Sequence, residues 1–378
     1  LKQNSTYRIL LSGGGTGGHI FPAVAIAREI TVLEPTAGIL FVGALGKMEM
    51  EKVPRAGFRI VGLPVSAFHR RLTLRNLMFP VKLLVSLMKA KKIVREFNPD
   101  LVIGTGGFAS GPVMRVATRM GLPVLIQEQN AFPGVTNRLV SGKAARICVA
   151  YPGMEKYFPG EKIELTGNPV RTDLILPADR LASAKEGFGI KNEVPVILVF
   201  GGSLGARTLN RCMLGAIDRL RSEKVAIIWQ TGTAFFQEAR LAVEGSGATN
   251  ISVHEFIYNM DEAYAAADLC VCRSGAITLS ELAVVGKPAL LVPYPAAAED
   301  HQTKNAKVVE NAGGAMVVKD DAAEKVLVTK MLELINDKGR LTAMSAGMRT
   351  LARPDATRRI AEIAIELISG KIRNSTKQ

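Results

Sequence analysis

Two distant stretches of the chain read alike. Arg8 to Gly18 is RILLSGGGTGG and Val196 to Ala206 is VILVFGGSLGA; each is an apolar strand-like run entering a glycine-rich turn and then a helix-like segment. A second pair, PDLVIGTGGFAS from Pro99 and ADLCVCRSGAIT from Ala267, aligns Asp100 with Asp268. A third aligns GLPVLIQEQN from Gly121 with GKPALLVPYP from Gly286. Three matches in the same order imply a duplicated unit. Each half alternates short Val/Ile/Leu runs with helical patterns: Ile9 to Leu11, Leu40 to Val42, Leu101 to Ile103 and Val124 to Ile126, then Val196 to Phe200, Ala226 to Trp229, Leu269 to Cys272 and Ala289 to Val292. That alternation predicts an α/β protein of two Rossmann-like, doubly wound parallel sheets, with a cleft between them. The boundary is expected near Gly167-Asn168-Pro169, after the last strand-like run of the first half.

A length of 378 residues fits two domains of ordinary size. With 22% charged residues and mean hydropathy of +0.18, the chain is neither disordered nor highly charged. No stretch approaches the ~18 uninterrupted apolar residues of a membrane span. The opening LKQNSTYRILLSGGG is too polar for a secretory signal, and Cys148, Cys212, Cys270 and Cys272 lack C-x-x-C spacing. A reducing, cytoplasmic compartment is the expectation.

The net charge of +14 is uneven: residues 1–168 carry 22 basic and 10 acidic side chains, and residues 169–378 carry 26 and 24. His69 to Arg95 alone has eight Lys/Arg and no acid, mixed with Leu, Met, Phe and Val. An anionic membrane surface suits that mixture; a core-packed helix with a solvated lysine face is the alternative. Nucleic acid is disfavoured, because the basic residues alternate with aliphatics rather than stacking aromatics. The interval from Gly13 to Asp100 is 87 residues and that from Gly201 to Asp268 is 67, so this segment lies in an excess of about twenty residues.

Gly13, Gly15 and Gly18 formally spell G-x-G-x-x-G, but a dinucleotide site wants an acid at the end of the second strand. Here that strand ends Phe41-Val42-Gly43-Ala44, which argues against a nicotinamide enzyme, and no P-loop motif is present. Four glycine turns remain, at Gly13 to Gly18, Gly104 to Gly111, Gly201 to Gly205 and Ser274-Gly275. Such turns bare backbone N–H groups at helix N-termini, where phosphate oxygens bind. Two on each domain suit two phosphorylated ligands. His19 closes the first loop at the start of a helix, whose positive end favours the neutral imidazole that accepts a proton. The four histidines are too scattered to suggest a metal site, and no cofactor is expected.

GGGTGGHIFPA at Gly13, GTGGFASGPV at Gly104, EQNAFPGVTN at Glu128, GNPVR at Gly167, GGSLGAR at Gly201, CRSGAITLSE at Cys272 and EDHQTKNA at Glu299 together resemble the MurG family. The resemblance implies the GT-B glycosyltransferase fold, with 1–168 plus about 355–378 as an N-terminal acceptor and membrane-binding domain and 169–354 as a UDP-GlcNAc-binding domain. It implies inverting transfer of GlcNAc from UDP-GlcNAc to the 4-hydroxyl of MurNAc-pentapeptide on undecaprenyl diphosphate, lipid I, to give lipid II for peptidoglycan. By the same resemblance His19 or Glu128 is the general base. Thr16, Gly17, Gly18, Asn130, Arg171, Ser203, Ile257, Ser274, Gly275, Ala276, Thr278, Glu281, Gln302 and Asn305 would meet the donor. Gly14, Gly15, Gly106, Gly107, Ser110 and Asn137 would meet the acceptor and its diphosphate. No protein-held metal is implied.

The departures are Gln127 where His is common, Phe108 where Tyr is common, and His301-Gln302 where paired glutamines also occur. The lipid tail gives the extra segment a purpose: Arg70, Arg71, Arg75, Leu77, Met78, Phe79, Lys82 and Leu83 would touch an anionic bilayer. The implied location is peripheral, on the cytoplasmic face of the bacterial plasma membrane, with cell-wall synthesis proteins as further partners. The rivals are another GT-B UDP-sugar enzyme, such as a glycolipid glycosyltransferase or a UDP-GlcNAc epimerase, and a noncatalytic nucleotide-sugar sensor.

Overall fold

The computed structural model describes residues 7–65, 79–171, 174–177, 180, 183–191, 193–202 and 205–375, with the side chains of 79, 80 and 371–375 left aside. The chain divides into two compact units, Leu1–Val170 with Pro354–Gln378, and Arg171–Arg353. The first boundary thus falls just beyond Pro169, and a C-terminal segment belongs to the first unit.

In the first unit β1 (Arg8–Gly13), β2 (Gly38–Ala44), β3 (Arg59–Leu63), β4 (Leu101–Gly106), β5 (Val124–Glu128), β6 (Arg146–Val149) and β7 (Ile163–Leu165) form one parallel sheet in the order β3-β2-β1-β4-β5-β6-β7. In the second, β8 (Val196–Phe200), β9 (Ala226–Gln230), β10 (Ile251–His254), β11 (Leu269–Cys272), β12 (Ala289–Leu291) and β13 (Ala315–Val317) run β10-β9-β8-β11-β12-β13, again all parallel. The two orders are the same doubly wound order, with β7 added at one edge of the first.

The duplication extends to single hydrogen bonds. Asp100 donates its N–H to the Arg8 carbonyl (2.7 Å) and takes the Arg8 N–H on its carboxylate (2.9 Å). Asp268 does the same with Val196, at 2.8 Å for both bonds. The aligned aspartates therefore pin the start of each central strand, a structural duty.

Because both faces of a parallel sheet are covered, its central strands are apolar throughout. Leu10 of β1 packs with Ala90, Ile93 and Val94 of the helix Phe79–Phe97 and Val113 and Met114 of the helix Ser110–Arg119. Ile9 and Leu11 point to the other face. There they meet Ile20, Ala23, Ala27 and Ile30, spaced along one side of the helix Gly17–Leu33, and Ile360, Ala364 and Ile368 of the final helix Ala356–Ser375. Each such Leu or Ile contributes roughly 1.5–3 kcal/mol by burial, so the final helix is held to the first unit by its apolar stripe. No helix of the described residues is long and apolar enough to cross a membrane.

Candidate functional site

In each sheet the strand order reverses beside the central strand, so the loops leaving β1 and β4, or β8 and β11, come together at the carboxyl ends where ligands bind. In the first unit these are the loops Gly13 to Gly18 and Gly104 to Gly111. They interlock closely. Gly107 has φ +78°, and a Cβ there would lie 2.0 Å from the Gly14 carbonyl oxygen; a Cβ on Gly106 (φ +96°) would lie 3.0 Å from the His19 ring. Neither position tolerates a side chain. Thr16 is extended and precedes the helix Gly17–Leu33, whose first N–H groups, from Gly17 and Gly18, have no helical carbonyl to reach. Thr16 and Gly18 are exposed, which leaves this helix end accessible to an anion.

His19, half-buried, sits in the first turn of that helix. Its carbonyl accepts the Thr105 hydroxyl at 2.8 Å, and its Nδ1 lies 3.0 Å from both the Thr105 carbonyl and Gln129 Oε1. With Nδ1 turned to two oxygens, Nε2 is the nitrogen left for chemistry in the neutral ring. Glu128, at the end of β5, is buried and differently placed. Its Oε1 accepts from Asn130 N–H (3.0 Å) and Asn130 Nδ2 (3.3 Å), and its Oε2 accepts from Gly134 N–H (3.1 Å) and Asn137 Nδ2 (2.9 Å). Each oxygen thus accepts two bonds, and through them Glu128 holds the loop with Asn130 and Asn137. Asn137 turns its Nδ2 to Glu128, and its buried Oδ1 has no partner among the described residues.

Three first-unit positions expected near the acceptor diphosphate are packed or bonded within the protein. Gly15 donates its N–H to both oxygens of Glu49 (3.2 Å each), so this amide is already spent on protein. Ser110 is fully buried and donates its hydroxyl to the Gly107 carbonyl (3.0 Å), which holds the loop. Gly14 is buried against Glu49. Glu49 itself was not singled out from sequence. Its fully buried carboxylate also accepts from Ala44 N–H at 2.9 Å and so ties the end of β2 to the glycine loop. An acid was sought at the end of the second strand for a ribose; it lies five residues further on and binds backbone. Glu49→Ala would take the acceptor from the buried Ala44 N–H and the half-buried Gly15 N–H, and thermal or urea denaturation is expected to register a loss of about 2 kcal/mol.

In the second unit Gln230, at the end of β9, is buried and links two expected donor segments: its Nε2 donates to the Gly202 carbonyl (3.2 Å) and its Oε1 accepts from Ile257 N–H (2.8 Å). Ile257 is itself buried. Gly275 precedes the helix Ala276–Val285, whose first turn carries Thr278 half-buried. Ser274 is fully buried, and its hydroxyl donates to the Gln302 carbonyl (2.9 Å). Gln302 Oε1 accepts from Tyr294 N–H (2.9 Å). Asn305 is fully buried in the helix His301–Asn311, and Arg171 is exposed. Glu281, half-buried, accepts the Tyr264 hydroxyl at 2.9 Å. Burial and the Glu281 carboxylate push the Tyr264 phenol well above its usual range, so it remains a donor. Ser203 lies outside the described residues.

Residues 9–149 match the glycosyltransferase family 28 N-terminal domain and residues 196–360 its C-terminal domain. The chain is 48% identical over 365 residues, 97% of it and 99% of the relative, to the UDP-N-acetylglucosamine–N-acetylmuramyl-(pentapeptide) pyrophosphoryl-undecaprenol N-acetylglucosamine transferase of Parabacteroides distasonis. A crystal structure of Acinetobacter baumannii MurG superposes with a TM-score of 0.79 at 29% identity, covering 95% of this chain and 99% of that one. The chain belongs to the MurG family. Its two parallel-sheet units are the GT-B fold of that family. The UDP-GlcNAc 2-epimerase of Neisseria meningitidis, with a TM-score of 0.64 at 15% identity and covering 95% of this chain and all of that one, shares this fold alone.

In this MurG-family chain the basic, apolar segment is only partly visible. Arg70, Arg71, Arg75, Leu77 and Met78 lie outside the described residues, and the side chain of Phe79 is not described. Lys82 is exposed, but Leu83 is half-buried. The exposed apolar stripe of the helix Phe79–Phe97 is instead Val81, Leu84, Val85 and Met88, at 53%, 59%, 40% and 57% exposure. That i, i+3, i+4, i+7 spacing is one helix face. Burial pushes the Cys148 and Cys270 thiols up to about 12, which removes them from nucleophilic roles. No group of three His, Cys, Asp or Glu side chains among the described residues is placed to hold a metal.

Proposed function

We propose that this chain transfers GlcNAc from UDP-GlcNAc to the 4-hydroxyl of lipid I, giving lipid II and UDP with inversion at the anomeric carbon. The supporting observation is 48% identity along 97% of the chain to a transferase of that name. His19 Nε2 takes the hydroxyl proton as the oxygen bonds to the anomeric carbon, the bond from that carbon to the diphosphate breaks, and UDP leaves with the electron pair. Asn137 Oδ1 accepts from an acceptor hydroxyl. The helix amides after Thr16 and after Gly275, together with Arg171, meet diphosphate charge, which grows on UDP as it leaves. Glu281 accepts from the ribose hydroxyls, and Ile257 lies against uracil. The direct test is transfer of radiolabelled GlcNAc from UDP-GlcNAc to a short-chain lipid I analogue. Label in a lipid disaccharide is expected; donor binding without transfer would sink the acceptor assignment.

Tyr264→Phe removes the donor that orients Glu281 and keeps the buried ring. The expected result is a 5- to 10-fold rise, on the order of 1 kcal/mol, in the UDP-GlcNAc KM at nearly unchanged kcat. Equal KM values would remove Glu281 from the donor site.

The enzyme works at the cytoplasmic face of the plasma membrane, where the exposed stripe Val81, Leu84, Val85 and Met88 rests among headgroups and Arg70, Arg71, Arg75 and Lys82 pair with anionic lipid. Each basic residue near such a surface adds about 1 kcal/mol, so attachment is reversible and weakened by salt. Charge reversal at Arg71 and Arg75, or Leu84→Glu with Met88→Glu, is expected to release the protein from phosphatidylglycerol vesicles in a sedimentation assay while turnover of a soluble acceptor is retained. Undiminished vesicle binding by both variants would defeat this placement.

A further inference from the structure

The proposed function gives His19 a role but leaves open what fixes its proton on one nitrogen. Gln129 is buried, and its Nε2 lies 2.8 Å from the Thr105 carbonyl and 3.1 Å from the Gln127 carbonyl. Both are oxygens that only accept, so the amide cannot be turned round without facing two acceptors with a third. Oε1 is thereby directed at His19 Nδ1, 3.0 Å away. Gln129 is held in turn by two further buried amides. Gln127 Oε1 also accepts from Gln129 Nε2, Gln127 Nε2 donates to Asn168 Oδ1 (3.0 Å), and Asn168 Nδ2 donates to the Gln129 carbonyl (3.0 Å). The ring closes on itself and contains no ionisable member, because this chain has Gln127 at the position where a histidine would add one.

We infer that Gln129 is the positioning residue for His19. Its fixed Oε1, supported by Gln127 and Asn168, faces Nδ1 together with the Thr105 carbonyl, so that the two oxygens keep the proton there, fix the plane of the ring and leave the Nε2 lone pair for the acceptor hydroxyl. The inference rests on the proposed role of His19 as base, and its test separates the two. In protein labelled with 15N-histidine, long-range 1H–15N correlations report the tautomer of each ring, and His19 is assigned by its loss in His19→Gln. The wild type should show His19 protonated on Nδ1 in the neutral form; a proton on Nε2 overturns the inference with no further variant needed. Gln129→Met fills the same space but removes the Oε1 acceptor and the Nε2 donor to the Thr105 carbonyl. That carbonyl still faces Nδ1, so the proton is expected to stay there while the ring loses its second partner, read as a shifted Nδ1 resonance and a 10- to 100-fold lower kcat at unchanged UDP-GlcNAc KM. An unchanged Nδ1 resonance in Gln129→Met overturns the positioning role. A shifted resonance with undiminished turnover upholds that role and overturns His19 as the base.

Discussion

His19→Ala is expected to lower kcat by about 10²- to 10⁴-fold while UDP-GlcNAc still binds to the second unit with wild-type affinity. That range is what a positioned base contributes by removing a proton in the transition state. The geometry favours the upper part of it, because the usual substitute is missing: Glu128, the nearby carboxylate, has both oxygens engaged by four N–H donors. A variant without His19 must therefore pass the proton to water. The measurement is steady-state transfer to a soluble lipid I analogue, with donor affinity from calorimetry on the same preparation. A fall in kcat of less than ~10-fold would show that the ring is not the base. An equal loss of donor affinity would show that the substitution had damaged more than the chemistry.

The central architecture was legible in the sequence because it is duplicated. The eight apolar runs lie in β1, β2, β4, β5, β8, β9, β11 and β12, the central strands and their neighbours, where burial on both faces leaves a continuous Val/Ile/Leu signature. The outer strands β3, β6, β7, β10 and β13 carry weaker signals. Ile163–Leu165 contains Glu164, and Ile251–His254 interrupts its apolar residues with Ser252, as strands covered on one side do. The site was legible as motifs but not as bonding. Glu49 lies in a helix remote from every glycine turn in sequence, and its role depends on the fold carrying β2 beside β1. Gln129 stood inside a recognised motif, yet only the approach of β4 to β5 brings it against His19 through Thr105. Likewise, sequence spacing alone could not rank Leu83 below Leu84, because which face of the helix Phe79–Phe97 is covered depends on its packing against the sheet.

Glu128→Ala should destabilise the first unit by about 2–3 kcal/mol, seen as a lower melting temperature and a lower urea midpoint. The carboxylate is 1% exposed, and its removal takes one acceptor each from the N–H groups of half-buried Asn130 and exposed Gly134 and from the side-chain amides of Asn130 and buried Asn137. Each unsatisfied buried donor costs about 1–3 kcal/mol, and partial access of water to the loop reduces the total below the simple sum. Glu128→Gln distinguishes structure from chemistry. Its carbonyl can replace Oε1 toward Asn130, but its NH₂ then faces the Gly134 N–H and the Asn137 Nδ2, donor against donor, at a cost of about 2 kcal/mol. If Glu128 acts by holding Asn130 and Asn137, activity in both variants should follow the loss of stability and recover in part on cooling. A Glu128→Gln protein that melts like the wild type but has lost 100-fold or more in kcat would place the carboxylate in the proton transfer itself. That outcome would require one of its four hydrogen bonds to open when the acceptor binds, a change visible as loss of protection at the Gly134 amide in hydrogen exchange.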